Sequence, residues 1–199
     1  MPRGQRRRCQ ILAVAERILL RHGLAETTMQ RVAEEAGASK ETLYRHFRSK
    51  DDLLIEIVLA RTAKLRAALD ANFESGENTA TVLRDLGRNL LQAMGGPEVI
   101  PLLRIVVTET VRNPDLGMSL FTAGPDRTHR LLTAHLEAAK RRGTFRGEDP
   151  ALAASLYIGS VLGNAMLLNL LRPPERPLSA GDIDARVEEA VALFLARYG

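Results

Sequence analysis

Apolar residues along this chain recur at steps of three and four, the spacing that gathers side chains on one face of an α-helix, and no useful run alternates every second residue. Ile11, Ala15, Ile18 and His22 form one such stripe that Gly23 closes, so a first helix is predicted over about Gln5–His22. A second starts at Thr27 or Thr28, turns Met29, Val32, Ala33 and Ala36 inward, and ends before Gly37. A third is short, Ser39–Phe47, and a fourth opens at Ser49 and runs to about Phe73. Beyond the polar break Glu74-Ser75-Gly76-Glu77-Asn78, helices are predicted near 79–94, 98–112, 115–141, 149–171 and 180–198. Pro97, Asn113-Pro114, Gly143 and Pro173-Pro174 supply the stops, and Gly124-Pro125 a break or kink inside 115–141. The fold class implied is all-α, with about nine helices in an N-terminal three-helix head and a C-terminal helical bundle.

Residues 27–53 carry the densest local signals. Thr27-x-x-Gln30 has the form of a capping box, Gly37 offers the left-handed residue that ends a helix, and Ser39 can cap the next one. So short a turn between two short helices forces them to cross steeply, which is helix-turn-helix geometry. Ser49-x-x-Asp52 then caps helix four and places Lys50 in its first turn. At 100° per residue, Leu43 and Phe47 share the inward side of helix three. Glu41 and Arg45 lie opposite, with Lys40 and Tyr44 on one flank and Thr42 and His46 on the other. Such a helix offers hydrogen-bonding and cationic side chains on a rod narrow enough for the major groove of DNA.

Charge agrees with that reading. Residues 1–50 hold 11 Lys+Arg against 5 Asp+Glu, a charge of +6, while the remainder holds 17 against 19, or −2. A basic head on a near-neutral body suits a partner made of phosphates. A single cysteine, Cys9, excludes an internal disulfide framework and suits a reducing compartment. The basic start lacks the apolar run of a signal peptide, so a cytoplasmic location is expected. Residues 151–171 carry no charge over 21 positions, about the length of a membrane span. Ser155, Ser160, Asn164 and Asn169 interrupt them, and a helix buried on most of its faces is expected instead, with no membrane. The four histidines show no metal spacing, and no nucleophile elbow or phosphate loop occurs. Neither catalysis nor a cofactor is therefore expected.

The run Thr28-x3-Val32-Ala33-x2-Ala36-Gly37-Ala38-Ser39-x2-Thr42-Leu43-Tyr44-x-His46-Phe47-x2-Lys50-x2-Leu53 resembles the signature of the TetR family of repressors. The resemblance covers about 50 N-terminal residues once helix one is included. It implies that Thr28 and Gln30 meet phosphate or a base edge and that Lys40, Glu41 and Thr42 open the recognition helix toward the bases. It further implies that Tyr44, Arg45 and His46 meet backbone or nearby bases and that Lys50 meets a phosphate, with Arg3, Arg6, Arg7 and Arg8 as a mobile arm. Residues 1–50 are then the DNA-binding domain, and residues 51–199 the effector-binding and dimerisation domain. A weaker likeness over Leu103–Gly163 points to one common branch of the family.

The resemblance also implies a homodimer on a palindromic double-stranded operator and an unidentified, largely apolar small-molecule effector. Candidate effector-binding residues are Phe73, Leu90, Met94, Leu103, Val107, Val111, Phe121, His129, Leu132, Tyr157 and Asn164, with Leu69 beside them. Candidate dimer residues are Leu156, Gly159, Gly163 and Leu167 on one helix and Val187, Val191 and Phe194 on the last. An activator or an effector-free architectural DNA binder would share the same head, and both readings stay open at this point.

Overall fold

The structure, a computed structural model, describes residues 3–63, 67, 78–95, 99–171 and 178–199. In chain order the helices are α1 (Arg3–Glu26), α2 (Met29–Glu35), α3 (Lys40–His46), α4 (Lys50–Arg61), α5 (Thr79–Gly95) and α6 (Val99–Thr110). They continue with α7 (Pro114–Phe121), a π turn (Thr122–Asp126), α8 (Arg127–Arg141), α9 (Pro150–Leu162), α10 (Ala165–Leu171) and α11 (Ala180–Tyr198). The fold is all-α, as the three-four spacing implies. Packing sorts the chain into two units. One comprises residues 1–61 with 101–120, the other residues 62–100 with 121–199.

In the first unit, Ile11, Ala15, Ile18 and Leu19 of α1 meet Val32 and Ala33 of α2, Leu43 of α3 and Leu53, Leu54 and Ile57 of α4 in one core. Leu102 and Val106 of α6 and Leu116 and Leu120 of α7 belong to the same core. Helices far along the chain therefore complete the N-terminal cluster. Asn113 fixes that corner. Its side-chain amide donates to Asp51 Oδ2 at 2.9 Å, and its Oδ1 accepts from Leu116 N at 3.3 Å. Glu16, the one buried acid of α1, is held by Arg61 through two contacts of 2.7 Å. Gly23 interrupts α1 with φ 73°, so its regular part ends where the sequence suggests and a short turn follows.

In the second unit, α5, α8, α9 and α11 enclose a core that includes Leu86, Leu132, Leu136, Ala154, Tyr157 and Val187. Tyr157 is buried, and its hydroxyl donates to the Leu83 carbonyl on α5. That approach requires Gly87, because a Cβ there would stand 2.7 Å from Tyr157 Oη and 3.0 Å from Val187 Cγ2. Ion pairs close the rim, Arg84 with Glu188 at 2.9 Å and Arg88 with Asp184 at 2.7 Å. Ser179 and Asp182 form a reciprocal capping box on α11, and Asp149 caps α9 just before Pro150.

Two expected helices differ in detail. Residues 115–141 are interrupted at Gly124-Pro125 by a turn that stays helical. Pro125 has no N–H to give the ladder, and the turn widens to π geometry between α7 and α8. The Gly124 carbonyl accepts twice, from Arg127 N and, at 3.1 Å, from Thr128 Oγ1. The uncharged run 151–171 is two helices, because Gly163 takes φ 47° and the axes bend by 51°. Among the described residues no single helix is long and apolar enough to cross a membrane. The stretch of helix four beyond residue 67, with Leu69 and Phe73, lies outside the described residues.

Candidate nucleic-acid interface

A seven-residue helix does not persist alone in water, so α3 must be held by its ends and its inner face. Both holds are present. Gly37 at φ 59° closes α2 in a Schellman motif, with Ala38 N bonding Ala33 O at 2.9 Å and Gly37 N bonding Glu34 O at 3.0 Å. Ser39 then caps α3, its Oγ accepting from Thr42 N at 3.1 Å. Leu43 and Phe47 are fully buried beneath it. Arg8 covers Phe47, its guanidinium 5.3 Å from the ring centre and paired with Glu56 at 2.6 Å.

With Leu43 and Phe47 inward, Lys40, Glu41, Tyr44 and Arg45 are exposed together on the outer face of α3. Tyr44 is 52% exposed, far more than a ring serving the core would be. Thr42 and His46 are half-buried at the edge. The Thr42 hydroxyl lies 2.9 Å from Ser39 Oγ, so it supports the cap as well as facing outward. Arg45 Nη2 approaches Thr42 Oγ1 at 3.4 Å. The helix presents two unburied cations, one carboxylate and a phenol on a single surface, a set able to meet phosphates and base edges.

The neighbouring residues depart from the sequence reading in three places. The cap of α2 is Thr28, whose hydroxyl accepts from Arg31 N at 3.1 Å. Thr27 is buried with its Oγ1 on Gly23 O at 2.7 Å, and Gln30 bonds Glu34 at 2.9 Å, so the expected Thr27–Gln30 capping box does not form. Arg3, Arg6, Arg7 and Arg8 belong to α1, not to a free arm. Arg7 bonds the Gly37 carbonyl and Arg8 braces Phe47. Lys50 is half-buried and donates to Leu24 O at 2.9 Å and Ala25 O at 3.5 Å, the carbonyls of the last turn of α1. Arg48, which the sequence reading passes over, is exposed on the turn after α3, with its backbone N on Asp52 Oδ2 at 3.0 Å. The signal for it was available, since it is a cation between the recognition helix and the start of α4.

The residues proposed from sequence for effector binding do not gather around one described cavity. Leu90, Leu132 and Tyr157 are core residues of the second unit. Met94 is on the wall of a hollow of about 10 Å³, shared with Leu91, Leu162 and Met166. Phe121 and Asn164 are exposed. His129 Nε2 stands 3.0 Å from Ala151 O and 2.9 Å from Ser155 Oγ, and because a carbonyl only accepts, Nε2 carries the proton. Leu103, Val107 and Val111 belong to the first unit, where Leu103 is half-buried and Val107 and Val111 are exposed. Phe73 lies outside the described residues. Among those described, no group of three or more His, Cys, Asp or Glu gathers to hold a metal ion.

The proposed dimer residues divide. Leu156, Gly159, Gly163 and Leu167 are exposed along α9 and α10, Leu156 by 54% and Leu167 by 57%. Val187, Val191 and Phe194 are not available to a partner, because α11 turns that stripe into its own unit's core against α5 and α9. The outward side of α11 carries Ala185, Glu189, Ala192, Leu193 and Ala196 instead.

Residues 11–57 match the family model described as bacterial regulatory proteins, tetR family, and residues 81–199 match that of the AefR-like transcriptional repressor, C-terminal domain. The HTH-type transcriptional repressor KstR of Mycobacterium tuberculosis is 27% identical over 189 residues, which cover 95% of this chain and 80% of KstR. A crystal structure from Mesorhizobium loti, assigned to the TetR family of transcriptional regulators, superposes with a TM-score of 0.82 at 26% identity over the full length of both chains. The flavonoid-responsive regulator FrrA superposes with a TM-score of 0.77 at 28% identity, covering 98% of this chain and 97% of FrrA.

Proposed function

The chain belongs to the TetR family of bacterial transcriptional regulators, and from that premise we propose that it is a dimeric repressor of a palindromic operator, released by an unidentified small-molecule effector. The observation that carries the reading is the outer face of α3, where Lys40, Glu41, Tyr44 and Arg45 stand clear of a core that holds Leu43 and Phe47. Lys40, Glu41 and Thr42 open the recognition helix and read bases, while Thr28, Gln30, Tyr44, Arg45 and His46 position the head on the backbone. Residues 1–50 serve DNA binding, and residues 51–199 serve effector binding and dimerisation.

Dimerisation is supported by the apolar row Leu152, Leu156 and Leu167 on α9 and α10, with Leu193 outward on α11, all at least half exposed. A two-fold pair would set its heads on half-sites one helical turn apart, about 34–36 Å on one face of the duplex. Repression agrees with the description of the matched C-terminal model and with the relative named a repressor. Release by an apolar ligand agrees with a structural relative described as flavonoid-responsive. The transmitting element is α4, which starts beside the recognition helix and is tied to the α6–α7 corner through Asp51 and Asn113. An effector acts only by binding one arrangement better than the other.

The test is selection of genomic fragments bound by the pure protein, followed by titration with a Lys40→Ala/Tyr44→Ala variant. A recovered inverted repeat bound by the parent and ignored by the folded variant supports the reading. Equal binding by both, or no DNA bound even at low salt, refutes it.

A further inference from the structure

Away from the outer face of α3, the first unit holds a cleft of about 490 Å³ between the C-terminal half of α1 and the flank of α2, a size that suits a small molecule. Its cations are Arg17, Arg21 and Arg31, and its one acid is Glu35. Glu35 is already engaged by Arg31 at 3.0 Å, and a second nitrogen of Arg31 lies 2.8 Å from His22 Nε2. A guanidinium only donates, so His22 accepts there and fixes the direction of Arg31. Arg17 and Arg21 are one helical turn apart on α1, exposed, and make no ion pair or hydrogen bond among the described residues. Like charges at that spacing on α1 repel and cost a little helix stability. The wall between them is apolar, with Ile18 beneath and Leu20 44% exposed. None of these side chains serves the outer face of α3.

We propose that this cleft is a second ligand site, on the DNA-binding head itself, for a small organic phosphomonoester. Three guanidiniums against one paired carboxylate leave the lining at about +2, matched to the roughly −1.5 to −2 of a phosphomonoester near neutral pH. Guanidinium forks from two helices can meet the several oxygens of one tetrahedral group, and the organic part of the ligand rests on the exposed Leu20. Binding relieves the Arg17–Arg21 repulsion and bridges α1 to α2.

The experiment is calorimetric titration of the full chain with phenyl phosphate at constant ionic strength, with inorganic phosphate as the reference. Saturable binding at one site per chain is expected, tighter for phenyl phosphate. Arg17→Gln/Arg21→Gln should weaken it by about tenfold or more. Glu35→Gln, which removes the competing carboxylate, should tighten it. Arg141→Gln/Arg142→Gln removes the same charge from an exposed part of the second unit and should change nothing. Equal losses in the two double variants, or equal binding of phenyl phosphate and inorganic phosphate, overturn the proposal. So does a fall in the salt slope of operator binding for Arg17→Gln/Arg21→Gln, which would make the cleft a contact for the DNA backbone. If that variant does not fold, Glu35→Gln decides, with tightening in support and no change or weakening against.

Discussion

Lys50 offers a sharp test, because two physical roles for it give opposite results. Its position in the first turn of α4 is the wrong end of that helix for a cation, where the macrodipole is positive. It is the right place for the carbonyls that finish α1, and its ammonium reaches Leu24 O at 2.9 Å. A hydrogen bond to a charged group contributes about 1.5–3 kcal/mol, and the half-exposed setting puts this one near the lower end. Lys50→Met keeps the aliphatic stem and removes the donor, so it should lower the melting temperature by roughly 3–6 °C. Operator affinity is then measured by fluorescence anisotropy across a potassium chloride series. If Lys50 only ties α1 to α4, the slope of log K against log salt should match the parent. If it neutralises a phosphate in each head of a dimer, the slope should shrink by about 1.8. Unchanged stability with that loss of slope would refute the anchoring argument.

Three further outcomes follow from the second unit. Gly87→Ala should destabilise the chain, since overpacking against Tyr157 and Val187 costs about 1–3 kcal/mol while helix propensity returns only about 1. The penalty should shrink in a Tyr157→Phe background, and a higher urea midpoint for Gly87→Ala alone would contradict the close approach. Leu156→Arg/Leu193→Arg should sediment as a monomer where the parent sediments as a dimer, and it should lose tight operator binding. A parent already monomeric at micromolar concentration would sink the interface. Burial, and then the charge of Arg142, hold the His135 imidazole below its usual pKa. The unfolded chain thus takes up the proton first, so stability is full above about pH 6.5 and falls as pH drops through that value. His135→Gln should flatten this slope in urea melts run between about pH 7.5 and 5.5, and an unchanged slope would assign it to another group.

The fold class and the recognition helix were legible because they rest on spacing and on short-range chemistry. Leu43 and Phe47 are four apart, and Gly37 and Ser39 flank the turn, so their roles follow from adjacent residues. Where two local signals competed, the pattern misled. Thr27 and Thr28 are both plausible caps, and burial of Thr27 on Gly23 O gives the position to Thr28. The stripe Val187-Val191-Phe194 was legible as apolar, but the sequence cannot say whether an apolar stripe faces its own chain or a second one. Lys50 was unreadable for a related reason, since its partners lie 26 and 25 residues back along the chain.

The participation of Leu102, Val106, Leu116 and Leu120 in the core beneath α1 and α4 bears on synthesis. A nascent chain that has emerged only as far as Arg61 has the whole recognition helix but leaves the apolar sides of α1 and α4 wet. The DNA-binding end, though translated before α6 and α7, is completed only when Leu120 leaves the ribosome. A proteolytic fragment ending at Arg61 should for the same reason aggregate or melt early instead of surviving as a small autonomous binder.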